Sequence, residues 1–293
     1  MKMLNLYKKC INVKFIVFFF LGLMNIPESL TAEEKKEEIT EEKSLLSYPS
    51  TKLLYLENTY LFESQAKLIG RGVDTKGPFL IFDQTVFYPQ GGGQPSDTGT
   101  IDFGSASFKV GFVGFQEGRV VHYIDQEPET LVDGSTAMMN IEPERRLLNA
   151  RSHTSGHLLD CIIQRVAPEL LAKKGYHFPE GPYVEFEGNL TSLDQADFLR
   201  TVNEALSAAV QSALHVRAFS ANEELLKSLR VSSSFKIPDG KEMRMVQIGD
   251  FSPTPCGGTH VRNLSELRQV SIRKLARKGA ITRLSYSFFP ERK

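Results

Sequence analysis

Two pairs of residues with the same four-residue spacing constrain this chain more than any other feature. His153 and His157 stand in Arg-Ser-His-Thr-Ser-Gly-His-Leu-Leu, and Cys256 and His260 stand in Thr-Pro-Cys-Gly-Gly-Thr-His. On a helix, residues four apart share one face and lie about 6 Å apart along the axis, so two imidazoles can reach one ion. Imidazole and thiolate are ligands that Zn²⁺ prefers, and four of them complete a tetrahedron. The sequence therefore predicts a fold that brings these four residues together around zinc.

The residues between the two histidines disfavour a peptidase. Zinc peptidases of the His-Glu-x-x-His type carry a glutamate general base directly after the first histidine. In this chain the intervening positions are Thr154, Ser155 and Gly156, so no carboxylate stands there.

The other cysteines and histidines fall outside this pattern. Cys161 lies one further helical step beyond His157, about 12 Å of helix from His153, and is expected to be a buried thiol. Three cysteines, one of them at Cys10, do not make a disulfide framework. No role is assigned to the remaining histidines outside the pairs, namely His122, His177 and His215.

The first 50 residues are excluded from the predicted fold. Lysines precede an apolar run at 15–24, and small residues follow it, which is the layout of a secretory signal peptide. An uncleaved anchor-like leader and an upstream start codon that does not begin the real protein are the alternatives for residues 1–32. The run is shorter than the about 20 apolar residues that a bilayer core requires. A charged stretch at 32–43 without hydrophobic periodicity predicts a tether.

The length of 293 residues, 41% of them apolar, suggests two domains. Residues 51–141 contain strand-like runs separated by Gly and Asp clusters, and we expect a small antiparallel β-barrel there. The runs are at 79–82, 85–88, 108–113 and 119–124. In residues 142–293 a helix begins near Pro143, a capping-box pattern at Ser192 begins another, and strand-like runs follow. The predicted fold class is α+β, with helices packed on an antiparallel sheet.

A glycine triplet at Gly91, Gly92 and Gly93 lies between two predicted strands. Consecutive glycines mark either a tight turn or a place where the backbone approaches a ligand closely. Gln94 and Asp97 follow the triplet and are candidates for hydrogen bonds to such a ligand. We therefore consider Gly91–Gly93, Gln94 and Asp97 together as candidate substrate-binding residues.

Basic residues are concentrated near the C-terminus, although the net charge of the chain is zero. Residues 261–293 contain nine Lys or Arg and two Glu. Such an excess is a candidate phosphate-binding surface, and a solvated basic tail is the alternative. The residues selected as candidate nucleic-acid contacts are Arg273, Lys274, Arg277 and Lys278.

Three motifs in one order carry a family resemblance. They are Phe-Tyr-Pro-Gln-Gly-Gly-Gly-Gln-Pro-Ser-Asp-Thr-Gly, then Arg-Ser-His-Thr-Ser-Gly-His-Leu-Leu, then Gly-Asp-Phe-Ser-Pro-Thr-Pro-Cys-Gly-Gly-Thr-His-Val. Over residues 53–288 the chain resembles the editing region of alanyl-tRNA synthetase and its freestanding AlaX relatives of medium length. The resemblance maps the family's zinc ligands onto His153, His157, Cys256 and His260.

The resemblance implies an aminoacyl-tRNA hydrolase that deacylates alanine tRNA wrongly charged with serine or glycine. It implies tRNA as the partner, an organelle matrix or the cytoplasm as the location, and no stable membrane partner. No adenylating domain is recognised, so the expected reaction is hydrolysis and not ligation. No catalytic residue and no oligomeric state is assigned. A zinc-stabilised tRNA-binding module without turnover and a deacylase for another mischarged tRNA are the alternative functions.

With three imidazoles and a thiolate, the metal ion either holds the attacking water or positions the substrate amino group. The synthetases often carry Thr just before the second histidine, where this chain has Gly156. The chain therefore lacks a hydroxyl that would read the substrate's side chain.

Overall fold

The computed structural model describes residues 45–128, 130–188, 190, 194–229 and 242–288. The predicted leader at 1–32, the tether at 32–43 and Cys10 lie outside the described residues. So do Arg292 and Lys293 of the basic C-terminal segment. Within the described part of the chain, no helix combines the length and the apolar character needed to cross a membrane.

The first half of the described chain is built of strands, and most of them close into a barrel. The barrel order is β2-β3-β7-β6-β5-β8, and its neighbouring strands are antiparallel. The strands are β1 (Lys52–Leu53), β2 (Glu63–Asp74), β3 (Gly77–Phe82), β4 (Gln84–Thr85), β5 (Gly99–Asp102), β6 (Ser107–Gln116), β7 (Arg119–Ile124) and β8 (Thr136–Ile141). The predicted antiparallel barrel is confirmed.

Alternating side chains fill the barrel, because successive residues of a strand point to opposite faces. Fully buried residues come from five of its strands: Leu68, Leu80, Ile101, Val113 and Met139. Strand β7 of the barrel also contains the buried residue His122, whose ring forms hydrogen bonds with the Thr85 hydroxyl and the Leu80 carbonyl. Its burial lowers its pKa to about 4, so it is a neutral core residue.

The predicted strand at 85–88 is only partly present. Thr85 pairs in β4 with β1, whereas Val86, Phe87 and Tyr88 are buried outside any strand. Side chains replace the missing strand partners: the Phe87 amide donates to the Thr85 hydroxyl, and the Tyr88 amide donates to the Asp97 carboxylate. The chain thus leaves the sheet here and turns towards the glycine triplet.

The second half contains the helices and two further sheets. Its elements are α1 (Pro143–Val166), β9 (Leu171–Tyr176), β10 (Tyr183–Glu187), α2 (Gln195–Gln211), β11 (Val216–Ala221), α3 (Glu223–Ser228), β12 (Met243–Ile248), β13 (Thr254–Pro255), β14 (Val270–Lys278) and β15 (Ile281–Phe288). One sheet has the order β14-β15-β10-β9, and the other has the order β11-β12-β13. The predicted α+β class is confirmed.

Helices α1 and α2 cover one face of the first sheet. In the register of that sheet, Val184 of β10 lies opposite Leu284 of β15, and both are buried with Phe198 and Val202 of α2 and Leu158 of α1. This apolar cluster fixes α1 against the sheet, which positions the helix face that carries the two histidines.

The helix starts agree with local capping chemistry. Pro143 occupies the first turn of α1, where backbone amides have no acceptor within the helix, so the absence of an amide hydrogen breaks no hydrogen bond. Helix α2 begins at Gln195, and the Asp194 side chain accepts from the Ala196 amide as its N-cap. The predicted capping residue Ser192 lies outside the described residues. Strand β9 was not predicted, because Leu-Ala-Lys-Lys-Gly-Tyr lacks β-branched residues.

Candidate metal centre

The structure brings the two predicted ligand pairs together. His153 and His157 lie on one face of α1, and Cys256 and His260 lie in the loop that follows β13. The nitrogen and sulfur atoms that these four residues offer all lie within 4.8 Å of one another. They form a group that could hold a metal ion.

Two distances at Cys256 are compatible with a shared metal ion. The Cys256 Sγ atom lies 3.5 Å from Nε2 of His153 and 3.3 Å from Nε2 of His260. Around Zn²⁺, with bonds of roughly 2.0 to 2.3 Å, neighbouring ligand atoms of a tetrahedron are separated by about 3.3 to 3.6 Å. The two separations at Cys256 therefore lie in the range that a tetrahedral ion with nitrogen and sulfur ligands requires.

Gln94 determines which nitrogen of His153 faces the centre. The Gln94 Nε2 donates to the Thr259 hydroxyl at 2.9 Å, and its Oε1 accepts from the Thr259 amide at 3.1 Å. This pairing fixes the orientation of the Gln94 amide, so its Oε1 is also the acceptor that lies 2.8 Å from His153 Nδ1. His153 therefore carries its proton on Nδ1 and presents the Nε2 lone pair to the centre.

Thr154 does the same for His260. Its hydroxyl donates to the Ala150 carbonyl one helical turn earlier, at 2.7 Å, and accepts from the Val261 amide. The same oxygen lies 3.1 Å from His260 Nδ1, so His260 donates to it from Nδ1. The Nε2 lone pair of His260 is left for the centre, next to Cys256 Sγ.

Burial sets the protonation of the four side chains. It is the main cause that lowers the pKa of His157 to about 4 and the pKa values of His153 and His260 well below their usual value. These imidazoles are neutral at pH 7, the form that binds a metal ion. Burial raises the pKa of the Cys256 thiol, so a cation is needed to stabilise its thiolate. Arg244 supports the loop by donating to the carbonyl of Cys256.

The centre opens on a cleft of about 840 Å³. The cleft is lined by His153, His157 and Cys256 and by the glycine triplet Gly91–Gly93. Three of the predicted metal ligands and the glycines predicted to bind substrate thus share one cleft, although they come from opposite halves of the chain.

The glycine triplet forms a tight turn, and its backbone also lies close to strand β9. Gly91 and Gln94 exchange backbone hydrogen bonds, and the backbone between them has positive φ at Gly92 (52°) and Gly93 (77°). A Cβ atom at Gly93 would lie 2.3 Å from the carbonyl oxygen of Gly175 in β9. Only glycine fits between the turn and this strand.

Gln94 and Asp97 lie behind the cleft wall. Both are fully buried, and neither is among the residues that line the cleft. Asp97 forms a fully buried ion pair with Arg146 of α1 and also accepts from the Tyr88 amide. The pair clamps the loop that contains the glycines to the helix that carries the histidines.

His177 is a cleft residue that the sequence did not assign. Its ring stacks on that of His153 with 4.5 Å between centroids, and burial lowers its pKa to about 3. It directly follows the unpredicted strand β9. No other histidine or cysteine lies four residues from His177, so the spacing that pointed to the predicted ligands could not point to this residue.

The candidate tRNA contacts lie away from the cleft. Arg273, Lys274, Arg277 and Lys278 are exposed on β14. Residues of β9 line the cleft, and β9 is at the other edge of the sheet from β14, about 14 Å away at about 4.8 Å per strand. Two other basic residues, Lys173 and Lys174 of β9, do line the cleft, although no sequence pattern pointed to them.

Replacement of Gln94 should weaken metal binding without removing a ligand. Gln94→Leu removes the acceptor that orients His153, and we expect the dissociation constant for Zn²⁺ to rise about 10- to 100-fold. Competition with a chromophoric chelator measures it. Gln90→Leu, in the same loop but exposed, is the matched control and should leave the constant unchanged. Equal affinities of the two variants would contradict this role of Gln94.

Two family models match the chain. The family described as "tRNA synthetases class II (A)" matches residues 27–145. The family described as "Threonyl and Alanyl tRNA synthetase second additional domain" matches residues 243–284, which include Cys256 and His260. The two matched ranges therefore contain the glycine triplet and the second ligand pair.

Curated relatives match over most of the chain. It is 31% identical over 241 residues to Alanyl-tRNA editing protein AlaX-M of Methanosarcina barkeri, covering 80% of this chain and 98% of the relative. The protein of the same name from Methanosarcina mazei is 30% identical over 245 residues, covering 80% and 95%. Alanine–tRNA ligase of Caldivirga maquilingensis is 31% identical over 265 residues, but this chain spans only 29% of the ligase. Because the AlaX-M proteins are matched over nearly their whole length, the chain belongs to the AlaX-M family of alanyl-tRNA editing proteins.

Proposed function

We propose that this protein hydrolyses the ester bond of alanine tRNA that has been mischarged with serine or glycine. The observation that carries the proposal is the shared cleft, which is lined both by three members of the metal group, His153, His157 and Cys256, and by the glycine triplet. Membership of the AlaX-M family supports tRNA as the partner and aminoacyl-tRNA hydrolysis as the reaction class. The place of action is then where charged tRNA is present, in the cytoplasm or an organelle matrix.

The proposed cofactor is zinc, held by His153, His157, Cys256 and His260. Three imidazoles and one thiol are a donor set that suits Zn²⁺. The distances of 3.5 and 3.3 Å from Cys256 Sγ to Nε2 of His153 and of His260 also agree with the about 3.3 to 3.6 Å expected between ligand atoms around this ion. When bound, zinc would supply positive charge that holds the substrate amino group or a water molecule. The protein's contribution is a rigid set of neutral imidazoles whose lone pairs are aimed by Gln94 and Thr154.

The glycine triplet is proposed as the wall that holds the aminoacyl group. Among the described residues, no hydrogen bond is recorded for the backbone amides of Gly92 and Gly93. Amides without a Cβ beside them can approach a small substrate, and they can donate to the oxygen that gains negative charge when the ester is attacked. Gln94 and Asp97 then act by positioning this wall, through their bonds to His153 and Arg146.

The proposed domain division follows the placement of these parts. Residues 51–141 form the barrel that provides the glycine wall, and residues 142–293 form the editing domain that provides the ligands. Exposed Arg273, Lys274, Arg277 and Lys278 are proposed to contact tRNA phosphates at a distance from the ester, because β14 lies across the sheet from the cleft.

Deacylation by the full-length protein tests this function. We expect hydrolysis of seryl and glycyl esters of alanine tRNA to exceed that of the alanyl ester by roughly tenfold or more. Cys256→Ala removes a donor atom, and we expect loss of bound metal and a fall in deacylation of about 100-fold. Cys161→Ala is the matched control, because it makes the same substitution at a buried thiol of the apolar core.

The same assay separates the alternatives. A protein that binds zinc and tRNA but cleaves none of the three esters would be a binding module without turnover. Cleavage only of esters on a different tRNA would make it a deacylase of another specificity. Equal deacylation by Cys256→Ala and Cys161→Ala would contradict the proposed ligand set.

The salt dependence of tRNA binding tests the basic strand. Neutralising Arg273, Lys274, Arg277 and Lys278 to Gln should weaken binding and flatten the slope of log K against log salt by about 2 to 4, because each phosphate contact contributes about 0.7 to 0.9. Neutralising Lys67, Lys76 and Lys109, which are exposed on the barrel, is the control. An unchanged slope in the β14 variant would make this strand an ordinary solvated surface.

A further inference from the structure

Three glycines from three different elements make room for one imidazole. A Cβ atom at Gly156 of α1 would lie 2.3 Å from Cε1 of His177, and a Cβ at Gly175 of β9 would lie 2.3 Å from its Nε2. A Cβ at Gly93 would lie 3.3 Å from its Cδ2. Real Cβ atoms do not come within 3 Å of another heavy atom, so Gly156 and Gly175 leave the space that the ring fills, and Gly93 bounds that space tightly on a third side.

The His177 ring also explains why position 156 is glycine. Any larger residue at this position of α1 would occupy the same space as the imidazole. The polar group that fills the space beside position 156 is thus the His177 imidazole, which comes from the residue after β9 and not from the helix.

Hydrogen bonds fix the orientation and the proton of this ring. The Tyr286 hydroxyl donates to the Ser152 carbonyl at 2.9 Å, so it accepts from His177 Nδ1, which lies 2.8 Å away. The proton is on Nδ1, and Nε2 carries a lone pair. The His177 amide donates to the Gly93 carbonyl, which ties the residue to the glycine wall.

The acceptor nitrogen is close to the metal group and has no described partner. Among the described residues, no hydrogen bond is recorded for Nε2 of His177. The ring is 4.5 Å from that of His153 and 6.5 Å from that of His157, between centroids, and His177 lines the cleft. An aminoacyl group held at the metal group would have its short side chain within reach of this ring.

We propose that His177 is a specificity-determining residue whose Nε2 accepts a hydrogen bond from the hydroxyl of a seryl ester. The inference rests on the proposed function and names the group that reads its substrate. A seryl hydroxyl can donate a hydrogen bond to this lone pair, whereas the methyl group of alanine would cover the buried nitrogen without donating to it. Glycine has no side chain and is indifferent to this contact.

The ratio of seryl to glycyl ester cleavage by the full-length protein tests the proposal. With His177→Ala we expect kcat/KM for the seryl ester to fall about 10- to 100-fold. We expect cleavage of the glycyl ester to change less than about threefold, because its recognition does not use the lone pair. Zinc content and Tm serve as controls for the metal group and the fold.

A second variant tests the orientation of the ring. Tyr286→Phe keeps the imidazole in place but removes the hydroxyl that holds Nδ1. We expect the same selective loss for the seryl ester, at a smaller factor. If His177→Ala does not fold, the result with Tyr286→Phe decides the proposal. His177→Gln, whose amide oxygen can accept at a similar position, should retain more seryl cleavage than His177→Ala.

Binding of uncleavable analogues gives a readout that does not depend on turnover. Adenosine that carries a 3′-seryl or 3′-glycyl amide is titrated into each protein, and the seryl preference of the wild type should disappear in His177→Ala. The proposal would be overturned if His177→Ala lowered cleavage of the seryl and glycyl esters by the same factor. It would also be overturned if this variant still bound the seryl analogue in preference to the glycyl analogue. A wild-type protein that cleaves neither ester would instead refute the proposed function, which is a distinct result.

Discussion

The geometry of the candidate metal centre depends on the side-chain amide of Gln94. This single group accepts from the His153 ring and exchanges two hydrogen bonds with Thr259, so it joins the barrel loop, helix α1 and the loop of the second ligand pair. Because the amide is fully buried, each unmade bond would cost about 1 to 3 kcal/mol. The buried Asp97–Arg146 pair holds the same loop on α1. The loop between barrel strands therefore helps to set the geometry of the ligands, in particular the orientation of His153, although the barrel contributes no ligand itself.

Local patterns predicted the parts of the site that are local in sequence. The four-residue spacing pointed to His153 and His157 because residues four apart on a helix share a face. The same spacing also pointed to Cys256 and His260, although the structure places that pair in a loop and not on a helix. The aromatic and β-branched runs likewise predicted most of the barrel. The contacts of Gln94 could not be read in this way, since they span 59 residues to His153 and 165 residues to Thr259.

The errors have the same physical origin. The extended segment at 85–88 has strand-forming residues, but side chains of Thr85 and Asp97 take over the backbone hydrogen bonds that a strand partner would make. Strand β9 has few such residues and is formed by its pairing with β10. Because β9 was not predicted, the role of His177 in the cleft was not predicted either. The position of His177 is defined by tertiary contacts with Gly156 and Tyr286.

The coordination of bound zinc tests the central claim most directly. X-ray absorption at the zinc edge of the purified full-length protein should give one sulfur at about 2.3 Å and three nitrogens at about 2.0 to 2.1 Å. In Cys256→Ala the sulfur shell should disappear, while it should persist in Cys161→Ala. A shell of oxygens and nitrogens alone in the wild type, or a sulfur shell that survives Cys256→Ala, would contradict a centre built from His153, His157, Cys256 and His260.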